Sequence, residues 1–160
     1  MEKLDVYNIN GEKTGKTVIR GDKNLGENEY IKLAVIYIKA NNKYLIQKCS
    51  KQKGGEYAVT GGHVSSGNTS KEQCVIEIKE ELGIDIDVTN LTFLGTHIKQ
   101  PRAMFDVYLY TDNNLENFDF VLQKEEVEQV YWLTKPQINE LISKGVVRQS
   151  SIEHYTKFVK

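Results

Sequence analysis

Short runs of apolar and β-branched residues alternate with polar turns along most of the chain and predict a structure rich in strands. The first two runs cover residues 4–9 and 16–19, and the Asn10-Gly11 dipeptide between them is typical of a tight hairpin turn. Turn-forming residues fill the loop 21–29 that follows. The chain is therefore predicted to begin with a β-hairpin and a loop.

Further strand-like runs follow the hairpin, and the first of them, residues 31–38, is apolar enough to have both faces covered. The others lie at residues 44–49, 91–98, 103–110, 118–122 and 130–133. By contrast, residues 54–68 are rich in glycine and polar side chains, which indicates an irregular segment.

One helix is predicted in the middle of the chain, over residues 70–82. Ser70 and Gln73 have the spacing of a capping box at its start. Gly83 is a natural stop at its C-terminal end, because glycine adopts the left-handed conformation that ends many helices.

Two more helices are predicted later in the chain. Thr134 and Pro136 are typical of a helix start, and this helix runs to about residue 144, while the other covers residues 151–158. Strands around one central helix, with further helices after them, predict an α/β (α+β) fold in which a mixed sheet lies between helical layers. The length of 160 residues suits a single domain, 1–160.

Composition and charge narrow the function classes. The formal net charge of -1 gives no support to binding of a nucleic-acid polymer, which a basic surplus usually accompanies. No apolar run approaches the roughly 20 residues of a membrane helix, and residues 1–13 lack the apolar core of a signal peptide. Cys49 and Cys74 have no metal-binding spacing and are expected to be free thiols in a reducing cytoplasm.

The predicted central helix carries two neighbouring arcs of different chemistry. Its apolar arc consists of Cys74, Val75, Ile78 and Leu82. An adjacent arc of similar width carries Glu77, Glu80 and Glu81. These like charges repel by a few tenths of a kcal/mol each, and they lie in the half of the helix where its dipole disfavours them. A bound Mg²⁺ ion would compensate, although a solvated acidic face next to Lys79 accounts for the same pattern.

The residues around these glutamates resemble the Nudix box, a motif of the Nudix hydrolase family, over residues 61–84. Gly62 begins the motif, and its later positions are matched by Glu77, Ile78, Glu80, Glu81, Gly83 and Ile84. The resemblance implies a Nudix fold with a helix whose glutamates hold Mg²⁺ or Mn²⁺ against a diphosphate.

The similarity extends beyond the box to residues 43–64 and 125–138, which look like the segments that flank the site in this family. Residues 4–21 resemble the N-terminal hairpin of the subgroup related to isopentenyl-diphosphate isomerase. The chain is therefore expected to be one Nudix domain, with residues 1–29 as hairpin and loop.

Three positions depart from the family pattern. Asn68 stands where the box has Glu, and Ile76 stands where it has Arg. In the family these Glu and Arg side chains are thought to form an ion pair that supports the loop and the helix. Its loss is expected to leave the orientation of Glu77 less well fixed, an effect that often lowers activity by about 10–100-fold. Cys49 stands where relatives frequently have a phosphate-facing Arg. The candidate substitute cations are Lys48, Lys53 and Arg102.

The resemblance implies a metal-dependent hydrolase that cleaves a diphosphate linkage in a nucleoside diphosphate derivative or a similar small molecule. Glu77, Glu80 and Glu81 are the expected catalytic metal ligands. The general base is either Glu77 or one of the loop acids Glu125, Glu126 and Glu128. The expected substrate-binding residues are Gly61, Gly62, Lys48 and Arg102.

Other features leave alternatives open. An aromatic side chain could stack on a base or simply pack in the core, and the candidates are Tyr57, Phe105 and Tyr108. His63 is expected to be a turn residue rather than a ligand. The departures favour, as an alternative, a catalytically weak or inactive Nudix fold that acts as a nucleotide-binding module. An isopentenyl-diphosphate isomerase is disfavoured, because the cysteine-rich, His-Pro-containing loop of those enzymes is absent. Homodimers are common among the proteins that the chain resembles, so a homodimer is an expected assembly.

Overall fold

The computed structural model describes all of residues 1–160. It contains nine strands and three α-helices. The strands are β1 (Lys3–Tyr7), β2 (Lys13–Ile19), β3 (Ile31–Ala40), β4 (Lys43–Cys49), β5 (Tyr57–Ala58), β6 (Thr60–His63), β7 (Thr92–Lys99), β8 (Ala103–Thr111) and β9 (Val127–Leu133). The helices are α1 (Ser70–Leu82), α2 (Lys135–Ser143) and α3 (Gln149–Phe158).

The N-terminal hairpin pairs β1 with β2 in antiparallel register, with Leu4 opposite Val18. The first strand ends earlier than residue 9, because the Asn8 side chain accepts backbone hydrogen bonds from Asn10 and Glu12 and turns the chain there. The first hairpin strand was therefore predicted two residues too long.

The other seven strands form one mixed sheet. Its main order is β5-β4-β3-β8-β7, with β6 paired to β3 and β9 paired to β4. The pairing of β3 with β8 is parallel, whereas all other pairings are antiparallel. The parallel pair is central and buried on both faces, as parallel strands require.

Helices cover both faces of this sheet, which confirms the predicted mixed α/β (α+β) architecture. Along β3, Ala34, Ile36 and Ile38 pack with α1 in one core, while Val35 and Tyr37 pack with α2 and α3 in a second core. The alternation follows from the two-residue period of a strand. None of the three helices is long and apolar enough to cross a membrane.

Two segments differ from their predicted structure. Residues 54–68, expected to be irregular, contain the short strands β5 and β6. Residues 118–122, expected to be a strand, follow a 3-10 turn (Asn113–Asn117) and pair with no strand. Instead, the amides of Val121 and Gln123 donate to the carbonyls of Leu82 and Glu81 at the end of α1. These helix-end carbonyls have no partner within the helix, so they attract the passing chain.

The start of α1 is one residue earlier than the predicted capping box. Thr69 is the cap residue, and its side chain and that of Glu72 each accept a backbone hydrogen bond from the other residue. Gly83 ends the helix in the left-handed conformation (φ 75°), as predicted. Because the cap is Thr69, the Ser70 and Gln73 side chains are free to point inward, and both are buried.

Candidate functional site

A cleft of about 320 Å³ lies between the sheet and the first turns of α3. Its floor comes from β3, β4 and β6, and one side chain of α1, Glu81, reaches it. The charged groups that line it are Arg20, Lys53, Glu81, Glu126 and Arg148. A mixed-charge cleft of this kind suits an anionic ligand held together with a cation.

Glu81 is buried with a single amide partner. Its exposed fraction is 6%, and the Gln47 Nε2 atom donates to its Oε1 atom at 3.1 Å. The Glu81 Oε2 atom and the Gln47 Oε1 atom have no hydrogen-bond partner. Buried polar atoms without partners are costly, and in native proteins they commonly mark a functional group. Glu81 therefore has an acceptor available for a ligand.

Glu77 lies against the backbone of β6. A Cβ atom on Gly62 would be 2.4 Å from Glu77 Oε1, so only glycine leaves room for this carboxylate. The Gln73 Nε2 atom donates to the same Oε1 atom at 2.9 Å and fixes its position. Gly62 and Gln73 thus hold Glu77 at one place beside the cleft.

The two carboxyl groups influence each other's pKa. Burial, followed by the nearby Glu77 carboxyl group, raises the pKa of Glu81 to about 9. Burial is also the main cause that raises the pKa of Glu77, while the hydrogen bond from Gln73 opposes this rise. The pair therefore retains a proton at neutral pH that a divalent cation would displace. An unpartnered buried oxygen and a half-buried carboxylate at one spot fit such a cation.

Glu80, the third predicted ligand, is exposed and does not line the cleft. No group of three His, Cys, Asp or Glu side chains is arranged in a metal-holding cluster. The structure therefore brings Glu77 and Glu81 together and leaves Glu80 on the solvent side of α1.

The loop acids lie in different environments. Glu126 lines the cleft and forms an ion pair of 3.3 Å with Lys53. Glu125 and Glu128 are exposed and outside the cleft lining. Among the three predicted candidates for an extra base, the structure therefore places Glu126 at the site.

Two of the predicted substrate-binding residues line the cleft, and the other two lie elsewhere. Gly61 and Gly62 line the cleft. Lys48 points elsewhere, because its Nζ atom donates to the Gly55 carbonyl and lies over the Tyr57 ring. Arg102 donates to the carbonyls of Leu25 and Gly26 at a different depression. Of the cations proposed to replace an arginine at position 49, only Lys53 lines the cleft.

Two arginines of the cleft were missed by sequence reasoning. Arg20 comes from the end of the hairpin and is paired with Glu2 at 3.3 Å. Arg148 precedes α3, and its Nη2 atom donates to the Cys49 Sγ atom at 3.4 Å. Neither arginine belongs to a motif, and only the folded chain brings them to residues so distant in sequence.

The family pattern has an ion pair between Glu at position 68 and Arg at position 76. In this chain, hydrogen bonds between uncharged groups connect the same loop to α1. The Gln73 Oε1 atom accepts from Asn68 Nδ2 at 3.0 Å and from the Ser65 amide at 3.1 Å. Gln73 thereby connects the loop before α1 to Glu77. Ile76 is half-buried, so of its two expected environments the fully exposed one is wrong.

The aromatic candidates mainly serve packing. Tyr108 belongs to the core under α1, and Tyr57 packs against the core under α2 and α3. Phe105 is 7% exposed, but it also lines the cleft. His63 lies on β6 rather than in a turn and lines the cleft, where burial lowers its pKa.

Comparisons with known proteins concern the family and the fold of the chain. The family model described as NUDIX domain matches residues 31–154. An uncharacterized Nudix hydrolase from Listeria innocua is 35% identical over 149 residues, covering 91% of this chain and 87% of that protein. A counterpart from Listeria monocytogenes is 35% identical over 152 residues, with the same coverage of 91% and 87%.

A solved structure supports the fold independently. The crystal structure of DR0079 from Deinococcus radiodurans matches with a TM-score of 0.83 at 21% identity, and the match covers 99% of this chain and 100% of that one. At this identity the likeness concerns the fold alone.

Proposed function

The chain belongs to the Nudix hydrolase family, and on that premise we propose that it hydrolyses a diphosphate linkage in a small molecule, such as a nucleoside diphosphate derivative, with Mg²⁺ or Mn²⁺ as cofactor. One observation carries the proposal: the Glu77–Glu81 carboxyl pair beside an anion-sized cleft, with a buried Glu81 oxygen that lacks a partner. Family members generally use divalent metals, and the choice between these two ions is part of the proposal.

In this proposal Glu81 would hold the cation from the cleft and Glu77 from beside it, and Glu80 would join them from the exposed face of α1. The cation neutralises charge on the diphosphate and makes water more acidic when it is bound. Gly62 keeps space for Glu77, and Gln47 and Gln73 orient the two buried carboxylates through amide hydrogen bonds.

The proton acceptor is proposed to be Glu126. It lines the cleft from the loop before β9, and its charge contributes to the raised pKa of Glu81. Lys53 pairs with it and keeps it oriented. Glu77, the other candidate, is already engaged by Gln73 and does not line the cleft. An acid–base group must lie within reach of the water it activates, and the cleft position of Glu126 supports this assignment.

The test is metal-dependent release of monophosphate from a panel of diphosphate compounds. Glu81→Gln is expected to lower turnover by at least about 100-fold, since it removes a metal ligand. Glu80→Gln measures whether the exposed glutamate takes part. Asp85→Asn is the matched control, because Asp85 follows the same helix and its side chain is 86% exposed. Equal turnover in wild type and Glu81→Gln would refute the assignment of the site.

A folded wild-type protein that binds Mg²⁺ but releases no monophosphate from any compound would favour the alternative, a nucleotide-binding module. The isomerase alternative has little support, because Cys74 is fully buried in the core and Cys49 has a raised pKa caused by burial. Conversion of isopentenyl diphosphate tests it directly. The two free cysteines support the proposed cytoplasmic location. The homodimer stays a prediction, which the mass of the protein in solution tests.

A further inference from the structure

Arg148 projects into the cleft from a firmly held piece of backbone. Its amide donates to the Tyr57 carbonyl at 2.8 Å, and the Tyr57 amide donates to the Val146 carbonyl at 2.9 Å. The Arg148 carbonyl accepts the first hydrogen bond of α3, from Ile152. The backbone on both sides of this residue is therefore fixed to β5 and to a helix, so the guanidinium group starts from a defined position.

The guanidinium group lies beside Cys49 on the floor of the cleft. Its Nη2 atom is 3.4 Å from the Cys49 Sγ atom and 3.4 Å from the Lys53 carbonyl oxygen. Cys49 and Gln47 are two positions apart on β4 and both line the cleft. This spacing corresponds to about 7 Å along a strand. Since Gln47 contacts Glu81, the arginine and the acidic pair share one floor.

The charge of Arg148 is only partly balanced. Its sole ion pair joins the Nε atom to Glu56 Oε1 at 3.6 Å, and the Glu56 side chain is 47% exposed. The other two cations of the cleft have closer partners, since Lys53 pairs with Glu126 and Arg20 pairs with Glu2, both at 3.3 Å. The Nη2 atom makes only long contacts of 3.4 Å with the Cys49 thiol and the Lys53 carbonyl, and the Nη1 atom has no hydrogen-bond partner. The outer edge of the guanidinium fork is therefore available to an anion.

We propose that Arg148 is a substrate-binding residue that holds the phosphate group farther from the Glu77–Glu81 pair. This inference rests on the proposed function, because it assumes a diphosphate that spans the floor of the cleft. One phosphate lies at the cation of the acidic pair, and the next lies against the guanidinium fork. A planar fork forms two parallel hydrogen bonds with phosphate, which lysine cannot do.

The test measures binding of methylenediphosphonate, which is not hydrolysed, by titration calorimetry with and without Mg²⁺. Arg148→Ala is expected to weaken binding by about 10- to 100-fold, the range for loss of hydrogen bonds to a charged group. Arg148→Lys is expected to recover only part of the loss. Lys144→Ala is the control, because Lys144 is a surface cation paired with Glu140. Circular dichroism and melting temperature verify that each variant folds.

A second variant separates ligand binding from a structural role. Cys49→Arg in the Arg148→Ala protein returns a guanidinium group to the same part of the floor, and binding is expected to recover at least about 5-fold. Loss of mere packing at position 148 would not be restored by a cation introduced from β4. Such a recovery would show that the guanidinium charge, and not packing at position 148, binds the diphosphonate.

The outcomes distinguish the two proposals. If wild type binds Mg²⁺ and Arg148→Ala binds methylenediphosphonate as tightly as wild type, the role of Arg148 is refuted while the metal site stands. The role of Arg148 is also refuted if wild type binds Mg²⁺ but not the diphosphonate. If wild type does not bind Mg²⁺ but Arg148→Ala still loses diphosphonate affinity, the proposed function fails and the anion site remains.

Discussion

At the scale of single residues, Gln73 illustrates how a neutral side chain replaces an ion pair. Its amide nitrogen donates to Glu77, and its amide oxygen accepts from Asn68 and Ser65. A single amide thus orients Glu77 and holds the loop before α1. Because Asn68 and Ile76 replace both members of the family's Glu–Arg pair, neither charge is left buried without its partner. Removal of one partner of a buried pair is costly, whereas replacement of both can be nearly neutral.

The raised pKa of the Glu81 carboxyl group makes stability depend on pH. Burial raises the pKa of Glu81 from its ordinary value of 4.5 to about 9. The folded state thus binds more protons than the unfolded state between these values, so the free energy of unfolding falls as pH rises from about 4.5 to 9. In EDTA, Glu81→Gln is expected to flatten this decline and to be more stable than wild type at about pH 8.5.

Urea denaturation at about pH 5.5 and about pH 8.5, with and without Mg²⁺, checks this expectation. Mg²⁺ is expected to restore wild-type stability at the higher pH and to leave Glu81→Gln nearly unchanged. If both proteins lose the same stability between the two pH values, Glu81 is not the group that titrates.

Residue-level sequence reasoning located the carboxylates of α1 because helical spacing and the Nudix motif concern neighbours in sequence. It missed Arg20 and Arg148, because their approach to the cleft depends on the hairpin and on the packing of α3. It also named Lys48 and Arg102, which satisfy carbonyl groups elsewhere. A cation's position in a fold is decided by its partners, and composition does not reveal them.

At the scale of elements, β6 is a strand that packs unusually close to its neighbours. Gly61 and Gly62 pair with Val35 and Ala34, and an added Cβ at either glycine would lie 2.4 Å from its nearest atom. Glycine has low strand propensity, which is why residues 54–68 were predicted to be irregular. The strand forms because β3 offers a free edge, where Gly61 fits against the β3 backbone and Gly62 fits beneath Glu77 of α1.

Gly62→Ala is expected to displace the Glu77 carboxylate and to weaken Mg²⁺ binding by at least about 10-fold, because the new methyl group occupies the position of Glu77 Oε1. Titration calorimetry with Mg²⁺ measures the change. Gly15→Ala serves as a stringent control away from the cleft, since Gly15 has open space around it and a φ of 90° that strains alanine, whereas the φ of Gly62 is not positive. Unchanged Mg²⁺ affinity in Gly62→Ala would contradict the placement of Glu77.

The strand wrongly predicted at residues 118–122 shows a related effect of the surrounding backbone. Its apolar sequence suits a strand, but Val121 and Gln123 instead donate hydrogen bonds to the end of α1. Sequence periodicity indicates which segments are apolar, whereas the nearest unsatisfied backbone decides what they pair with. By comparison, β3, β8 and the three helices were predicted well, because their patterns are long and most of the helix ends carry recognisable caps.

At the scale of the whole molecule, a largely buried ionic contact connects five elements. The Lys32 Nζ atom lies 3.2 Å from Asp106, and their side chains are only 13% and 8% exposed. Asp106 also accepts hydrogen bonds from Ser70 of α1 and Thr96 of β7. Lys32 further contacts the hairpin through the Tyr7 ring, with its Nζ atom 4.3 Å from the ring centroid. This contact thus joins the hairpin, the sheet and α1.

Asp106→Ala is expected to lower the free energy of unfolding by about 3–5 kcal/mol, because it leaves the largely buried charge of Lys32 without a counter-charge. Urea denaturation measures the loss. In the double variant Lys32→Met, Asp106→Leu most of this stability is expected to return. Glu140→Ala breaks an exposed ion pair and should cost less than about 1 kcal/mol. A cost below about 1 kcal/mol for Asp106→Ala would contradict the role assigned to this contact.

The composition of the cleft also affects how the protein folds during its synthesis on the ribosome. Its lining extends in sequence from Arg20 to His154, so its walls are made at different times. At about 5–20 residues per second, Glu81 leaves the peptidyl-transferase centre roughly 3 to 13 s before Arg148. During that interval α1 and the hairpin exist without α3. A nascent chain therefore lacks one wall of the cleft, and it becomes able to enclose a substrate only after α3 has been synthesised and has docked.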